Sequence, residues 1–246
     1  MGKTYAGNTS DESVIPKKIY GGDASNHSVP CKVAYCGDGN GKSVEVYRNT
    51  SLPSAYQKVQ YIYDTNGTEY INTGVKPNSD TRLFIDLQIM VQTTTGEGFL
   101  GCAQNGANNY AYIAGGNPSR IVYYWGGNNG GISMSTARHK FDVNQNYHGR
   151  TYIDDTAIMN SASTFSTVAN DYLLFAYMEA QTIKISKYIK YRLYSFSVWQ
   201  NKSMIRDMYP CYLKSDSQVI GMYDLIGNQF YGNDGTGIFY KGPDVN

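Results

Sequence analysis

The sequence predicts an all-β protein, a two-sheet antiparallel jelly-roll sandwich preceded by a small segment of β-hairpin repeats. Composition is the first observation, because the 246 residues include 24 tyrosines and 26 glycines. Tyrosine favours half-buried strands, and glycine supplies the turns between them. The second observation is a series of short alternating runs separated by turn residues, without a long helical periodicity.

Residues 1–46 contain a tandem repeat with a period of fifteen residues, in which Tyr5, Tyr20 and Tyr35 align. Each unit is expected to form a strand, a polar turn and a second strand. Hairpins this small are marginal in water unless they stack on copies of themselves or on another chain. We therefore expect 1–46 to be an attachment or oligomerisation segment that uses these tyrosines, with a solvated linker as the alternative. Residues 47–51 then form a linker, and 52–246 the main domain.

The main domain contains a succession of strand-like runs, of which "TRLFIDLQIMV" is the clearest. Its residues Leu83, Ile85, Leu87, Ile89 and Val91 share one face, which predicts a strand with one buried side. Many short strands within one domain predict a two-sheet sandwich or jelly roll. The other runs include QKVQYIYD, EYINTGV, GFLGCAQ, NYAYIAGG, RIVYYWGG, RTYIDDTAIM, YLLFAYM, KYRLYSFSVWQ and SMIRDMYPCYL.

The stretch "DLIGNQFYGNDGTG", from Asp224 to Gly237, combines acidic residues with amides and glycines. It lacks the alternating oxygen ligands and the final glutamate of an EF-hand loop. Two successive hairpin turns, at Gly227-Asn228 and at Asp234-Gly235, account for the composition without a metal ion.

Residues 52–90 and the C-terminal stretch from KYRLYSFSVWQ to FYKGP resemble LamG-like, concanavalin A-like jelly-roll modules. These modules occur in tail and surface proteins of phages and prophages of gut Firmicutes and related bacteria. The resemblance spans roughly 52–243 and is strongest at its two ends, and the Tyr-Gly repeats also resemble short repeats of phage virion proteins. It implies a virion protein of the head or tail surface, made in the bacterial cytoplasm, that binds other virion proteins through 1–46. Such proteins usually form homo-oligomers, and some related modules bind calcium at the rim.

Catalytic patterns are missing from the sequence, so we expect no enzymatic activity and no cofactor. Retaining glycosidases need two carboxyl groups about 5 Å apart, and the few glutamates are far apart in the chain. No nucleophile elbow, zinc-protease motif or phosphate-binding loop is present. Asp154 and Asp155 are expected to form a hairpin turn. His139 and His148, with Asp142 nearby, are expected on a solvated hairpin rather than in a metal site.

Charge and hydropathy exclude further classes of partner. The 21 Lys and Arg residues balance 20 Asp and Glu residues, so nucleic acid is not an expected partner. No apolar run is long enough for membrane insertion. The opening "MGKTYAGNTS" lacks the apolar core of a secretion signal, which disfavours a bacterial surface adhesin. The four cysteines lack zinc-site spacing and are expected to be free thiols.

The middle segment "NNYAYIAGGNPSRIVYYWGGNNGG" carries the predicted binding residues. Aromatic rings can stack on sugar rings, and amides can supply directed hydrogen bonds. Alternation along the strand places Tyr124 opposite Tyr123 and Trp125, so one of these sets belongs to the core. We expect a host-surface polysaccharide as the ligand, and a capsid-decoration or tail-scaffold role without a ligand as the alternative. The predicted glycan-binding residues are Tyr110, Tyr112, Tyr124, Trp125, Asn128 and Asn129.

Overall fold

The structure is a computed structural model. The residues that it describes are 20–22, 28–30, 33–37, 43–48, 51–91, 98–104, 109–116, 120–133, 135–145, 150–159, 165–185 and 189–245. The chain divides into two compact units, Met1–Ser51 and Leu52–Asn246. Every regular element in the described ranges is a β-strand, which confirms the all-β prediction. In those ranges no helix has the length and apolar character needed to cross a membrane.

The N-terminal unit contains one hairpin in each of the second and third repeat units. Strand β1 pairs with β2, and β3 pairs with β4, so the predicted pairing of two strands within a unit is confirmed for these two units. Tyr20 begins β1 and Tyr35 lies within β3, whereas Tyr5 lies outside the described residues. The four strands are β1 (Tyr20–Gly22), β2 (Ser28–Pro30), β3 (Val33–Gly37) and β4 (Ser43–Arg48).

Strand β4 extends into the segment that was predicted to be a linker. Tyr47 lies opposite Ala34 and Arg48 lies opposite Val33 in the antiparallel register. The prediction that 47–51 is a linker is therefore wrong for its first two residues. Cross-strand pairing continues there because Tyr47 favours strand structure more strongly than the polar residues that follow it.

The larger sheet of the second unit has eleven strands. They are β5 (Tyr56–Lys58), β6 (Ile62–Tyr63), β8 (Thr81–Val91), β13 (Arg138–Val143), β14 (Thr151–Ile153), β15 (Thr156–Met159), β19 (Lys190–Gln200), β20 (Ser203–Leu213), β21 (Asp216–Asp224), β22 (Gln229–Tyr231) and β23 (Tyr240–Lys241). Their spatial order is β15-β14-β13-β8-β19-β20-β21-β22, with β5 paired to β20, β6 to β19 and β23 to β6.

The smaller sheet has eight strands in the order β12-β11-β10-β9-β16-β7, and the β17–β18 hairpin joins it at β9. Every pairing in both sheets is antiparallel except that of β17 with β9. The two-sheet sandwich prediction is confirmed, and the jelly-roll connectivity stays a prediction. The strands are β7 (Ile71–Asn72), β9 (Gly98–Gln104), β10 (Asn109–Gly116), β11 (Arg120–Trp125), β12 (Asn128–Ser133), β16 (Leu173–Leu174), β17 (Tyr177–Glu179) and β18 (Thr182–Lys184).

The two sheets contact each other through one apolar core. On β8, the predicted inner face is correct for its first four members, which are fully buried: Leu83, Ile85, Leu87 and Ile89. Val91, the last residue of β8, is 49% exposed, so its predicted burial is wrong. Rings from opposite sheets meet in the core, because Phe99 of β9 lies 5.3 Å from Tyr191 of β19, centroid to centroid.

Phe175 reverses the chain between β16 and β17 and allows the parallel pairing. It has a φ of 67°, which is unusual for a residue with a bulky side chain. Two contacts with Tyr191 of the opposite sheet hold it. The Phe175 amide donates a hydrogen bond of 2.6 Å to the Tyr191 hydroxyl, and the two rings stack with centroids 4.6 Å apart.

The turn at Gly227-Asn228 is confirmed as the connection of the β21–β22 hairpin. The buried Asp224 carboxylate stabilises it by accepting hydrogen bonds from the amides of Ile226, Gly227 and Asp207. This acidic residue therefore closes a turn.

The predicted second hairpin, at Asp234-Gly235, is wrong, because β23 pairs with β6 instead of β22. This loop is fastened to a distant segment instead. The Asn233 side-chain oxygen accepts hydrogen bonds from the amides of Gly235 and Tyr70.

Candidate functional site: a tyrosine surface on the smaller sheet

The alternation along β11 determines which of its aromatic residues reach solvent. Tyr123 and Trp125 are 0% exposed and belong to the core, where Trp125 packs edge-on against Phe165. Tyr124 lies on the outer face and is half-buried. The prediction of Trp125 as a glycan-binding residue is wrong, because its side chain points to the opposite face from Tyr124.

Four tyrosines from three strands meet on the outer face of the smaller sheet, and we call them the tyrosine surface: Tyr110, Tyr112, Tyr124 and Tyr177. Tyr112 and Tyr124 are direct cross-strand partners. Their ring centroids are 4.6 Å apart with planes 12° from parallel, and Tyr177 stacks on Tyr112 at 5.6 Å and 21°. Tyr110 meets Tyr112 edge to face at 6.0 Å.

The stacking decides which parts of these rings a ligand can contact. Tyr112 has Tyr124 against it on one side and Tyr177 on the other, so neither face of its ring is open for sugar stacking. Its contribution is the ring edge and the hydroxyl group. Tyr124 has one stacked partner and keeps its second face, which lies toward the edge strand β12. The surface is therefore a row of upright rings, with a ring face available at its end.

The hydroxyl groups of three members of this surface, Tyr110, Tyr112 and Tyr124, are available to a ligand. Within the described residues, no group forms a hydrogen bond with the hydroxyl of Tyr110, Tyr112 or Tyr124. Burial, followed by the neighbouring tyrosines and Glu179, raises the pKa of Tyr112 well above its ordinary value. Tyr112 therefore stays protonated at physiological pH, and its hydroxyl can both donate and accept a hydrogen bond.

The two predicted amides are placed differently. Asn129 lies directly opposite Tyr124 on the edge strand β12, is exposed, and its side-chain amide bonds to no described residue. It can supply a directed hydrogen bond beside the Tyr124 ring. Asn128 lies opposite Trp125 and so belongs to the inner face of the strand. Asn128 therefore does not share a strand face with Tyr124, and its role in glycan binding stays a prediction.

Tyr177 and Glu179 were missed by the sequence analysis. They reach the surface because β17 pairs in parallel with β9, placing Tyr177 beside Gly101 and Glu179 beside Ala103. Their spacing by two residues in "YME" indicates a shared strand face, but not which strand adjoins them. Gly98 makes room for the Tyr177 ring, since a Cβ at Gly98 would lie 2.7 Å from it.

His139 lies in a hydrogen-bonded chain with Ser135 and Asp154. Its Nε2 is 2.7 Å from Ser135 Oγ and its Nδ1 is 2.6 Å from Asp154 Oδ2. The order of the three residues matches that of Ser-His-Asp triads, in which the aspartate is buried. Here the aspartate is the more exposed group, because the Asp154 side chain is 47% exposed and that of His139 only 11% exposed. Ser135 Oγ also accepts the Ala137 amide and thereby closes a turn. We assign these hydrogen bonds a structural role, because they fasten the β14–β15 turn to the β12–β13 connection.

The predicted surroundings of His139 are corrected by this arrangement. His139 is buried, so the expected solvated hairpin is wrong for it. Asp142 does not contact it, because the Asp142 carboxylate forms a two-point ion pair with Arg82 at 2.7 and 2.8 Å. His148 lies outside the described residues. The turn predicted at Asp154-Asp155 is confirmed, and both residues have positive φ.

Asp154 makes the stability of the domain dependent on pH in the acid range. Burial acts to raise its pKa, but hydrogen bonds from the Lys140 amide and from His139 outweigh burial, and the pKa is lowered. A lowered folded-state pKa contributes stability that is present above the unfolded value and lost as the pH falls through the folded one. We expect Asp154→Asn to be less stable than wild type at neutral pH, with the difference shrinking below about pH 4.

Urea unfolding of both proteins across this pH range checks the expectation. An unchanged difference in unfolding free energy from neutral pH down into the acid range would contradict it, because the carboxylate charge would then contribute nothing.

A metal site does not form within the described ranges, where no three His, Cys, Asp or Glu side chains are arranged to hold an ion. Cys102 and Cys211 are buried free thiols. The chain matches no protein-family model, and no curated protein or solved structure is significantly similar to it.

Proposed function

We propose that this chain is a non-enzymatic structural protein of a tailed phage or prophage virion. Its second unit would display a LamG-like jelly roll that contacts a polysaccharide on the host cell surface. The resemblance of residues 52–243 to virion modules supports the assignment, and the two-sheet all-β architecture is compatible with it. The lack of catalytic motifs in the sequence supports a binding role.

The tyrosine surface is the observation that carries the binding proposal. It combines an available ring face at Tyr124, the hydroxyls of Tyr110, Tyr112 and Tyr124, and the amide of Asn129 on regular strands of one sheet. Strands hold such groups more rigidly than loops, which lowers the entropic cost of binding. Aromatic rings with polar tips beside amides suit a ligand with alternating apolar faces and hydroxyls, as saccharides have.

The N-terminal unit would attach the protein to the particle. Its second and third repeat units each form a small pair of strands, and short strands with few partners gain stability by adding to other strands. We propose that residues 1–46 pair with other virion proteins or with copies of this chain, forming a homo-oligomer. Several weak glycan contacts would then act together, since linked sites bind with higher avidity than single ones.

The proposed function is tested by binding of the full chain to whole bacterial cells and to purified surface polysaccharides. We expect saturable binding that Tyr124→Ala weakens by roughly tenfold, the loss of about 1.4 kcal/mol of stacking and hydrogen bonding. Tyr240→Ala is the matched control, because Tyr240 is 49% exposed but lies on the other sheet. Circular dichroism establishes that both variants fold.

Equal weakening by Tyr240→Ala and Tyr124→Ala would contradict the placement of the binding site. Absence of saturable binding by the wild-type chain, on every cell and polysaccharide, would favour the alternative of a capsid-decoration or tail-scaffold protein without its own ligand.

A further inference from the structure

A buried lysine–aspartate contact joins two parts of the larger sheet. The Lys190 Nζ lies 2.7 Å from Oδ2 of Asp64, with 13% of the lysine side chain and 3% of the aspartate side chain exposed. We propose that these two residues form an intramolecular amide bond between Lys190 Nζ and Asp64 Cγ, with loss of one water molecule. This self-modification goes beyond the proposed function and does not depend on it.

Strand pairing brings the two residues together, although they are 126 positions apart in the chain. Asp64 directly follows β6, and Lys190 is the first residue of β19. The two strands are antiparallel partners, with Tyr63 opposite Arg192. The contact is therefore set by the register of the larger sheet.

The separation of the two groups suits bond formation. A hydrogen bond of ordinary geometry to Oδ2 places Nζ roughly 3–4 Å from Cγ, the carbon that the amine attacks. Groups held at about this distance react as if they were highly concentrated, because the entropy of bringing them together has already been lost. Folding therefore removes the entropic barrier to a reaction between two distant residues.

The surroundings favour the neutral forms that the reaction needs. The amine attacks only without its ammonium proton, and a protonated carboxyl group can release its oxygen as water. Transfer of one proton from Lys190 to Asp64 supplies both forms, and burial favours a neutral pair over two charges. Burial is also the main reason that the pKa of Asp64 is raised; the hydrogen bond from Lys190 offsets this in part, and the charge of Glu69 adds to it. The chain neighbours of Lys190, Ile189 and Tyr191, are both buried.

Glu69 supplies a second carboxylate beside the reacting pair. It lies in the same β6–β7 connection as Asp64, is fully buried, and acts on Asp64 through its charge. Its Oε2 accepts a hydrogen bond from the Thr68 amide. In the described part of the chain, neither Glu69 Oε1 nor Asp64 Oδ1 has a hydrogen-bond partner. A carboxylate with an open oxygen can accept a proton from the attacking amine and return it to the leaving oxygen.

The step balances without an oxidant, a reductant or a cofactor. The bond between Lys190 Nζ and Asp64 Cγ forms, and the bond from Cγ to one carboxyl oxygen breaks. The neutral amine loses one hydrogen to that hydroxyl, which leaves as water, and Glu69 ends in its starting protonation state. The product is a neutral amide in place of a buried ion pair, so the desolvation cost of two charges is removed.

Mass spectrometry of the intact full chain tests the proposal. We expect wild type to be lighter than its sequence by one water molecule, and trypsin to leave the chain uncut after Lys190. A branched tryptic peptide that joins the segments of Asp64 and Lys190 locates the bond. Lys190→Arg keeps a positive charge beside Asp64 but lacks a primary amine, so this variant is expected to have its full sequence mass.

Other causes of the same mass loss are separated by two comparisons. Lys241→Arg is the matched control, because Lys241 Nζ lies 3.1 Å from Oδ1 of Asp244 in an exposed pair, and it is expected to lose water as wild type does. Ring closure at Asp234-Gly235 would also release water, but that loss would persist in Lys190→Arg.

The role of Glu69 has its own measurement. Glu69→Gln is expected to slow bond formation on the order of a hundredfold, measured as the fraction of freshly synthesised chain that has lost water at successive times. Equal rates in Glu69→Gln and wild type would show that Glu69 carries no proton in the step.

A wild-type chain that keeps its full sequence mass and is cut after Lys190 would overturn the proposal. A water loss of the same size in Lys190→Arg would overturn it as well. Neither result bears on the tyrosine surface, so failure of this proposal and failure of the proposed function can be distinguished.

Discussion

Trp125→Ala is expected to destabilise the second unit by about 4 kcal/mol, the cost of deleting a large buried aromatic side chain. Trp125 is fully buried, stacks against Tyr123 at 6.0 Å and contacts the edge of Phe165 at 5.1 Å. Its removal leaves a cavity between the sheets that the paired strands cannot close. Urea or thermal unfolding measures the loss, which would lower the melting temperature by roughly 10 °C.

Two neighbouring variants serve as controls. Tyr124→Ala removes a ring of similar type from the outer face of the same strand and is expected to cost far less stability. Trp125→Phe keeps most of the packing and removes the indole Nε1–H, which is buried with no hydrogen-bond partner in the described part of the chain. A loss in Tyr124→Ala as large as in Trp125→Ala would show that the assignment of strand faces is wrong.

Gly101→Ala is expected to destabilise the protein by about 3 kcal/mol or more and to disturb the tyrosine surface. Gly101 has a φ of 122°, and a Cβ there would lie 2.2 Å from the Ala111 carbonyl oxygen and 2.5 Å from the Tyr112 Cα. Both contacts are with backbone, which cannot move without breaking the β9–β10 pairing. Because Tyr177 also pairs with Gly101, the stacked rings on both sides would shift.

Gly74→Ala separates strain in φ from the steric clash. Gly74 also has a positive φ, of 67°, but the nearest atom to its added Cβ is the flexible end of Arg206 at 3.8 Å. We expect this variant to cost only about 1 kcal/mol. Similar losses in both variants would mean that the close approach of β9 and β10 is not what requires glycine at Gly101.

The sequence predicts strands well where one face alternates clearly, and poorly where tertiary contacts decide the outcome. The β8 run and the turn at Asp154-Asp155 follow from local chemistry, so both could be predicted. The loop after β22 could not, because its Asn233 side chain bonds to Tyr70, which is distant in the chain. No local pattern encodes that contact.

The candidate site was predicted only in part for the same reason. Alternation separates Tyr124 from Trp125, but it does not say which face of the strand is covered by the second sheet. Tyr177 becomes a neighbour of Tyr112 only through the parallel pairing of β17, after the reversal at Phe175.

The pairing of β8 with β19 and of β5 with β20 has a consequence for the order of events during synthesis. The strands β5 and β8 emerge from the ribosome before residue 92, whereas their partners β19 and β20 begin only at Lys190 and Ser203. The larger sheet cannot close until β20 has been made, and distant pairing of this kind is slow. Nascent chains would therefore expose apolar strand faces for an extended time, and aggregation during expression should fall when chaperones are abundant.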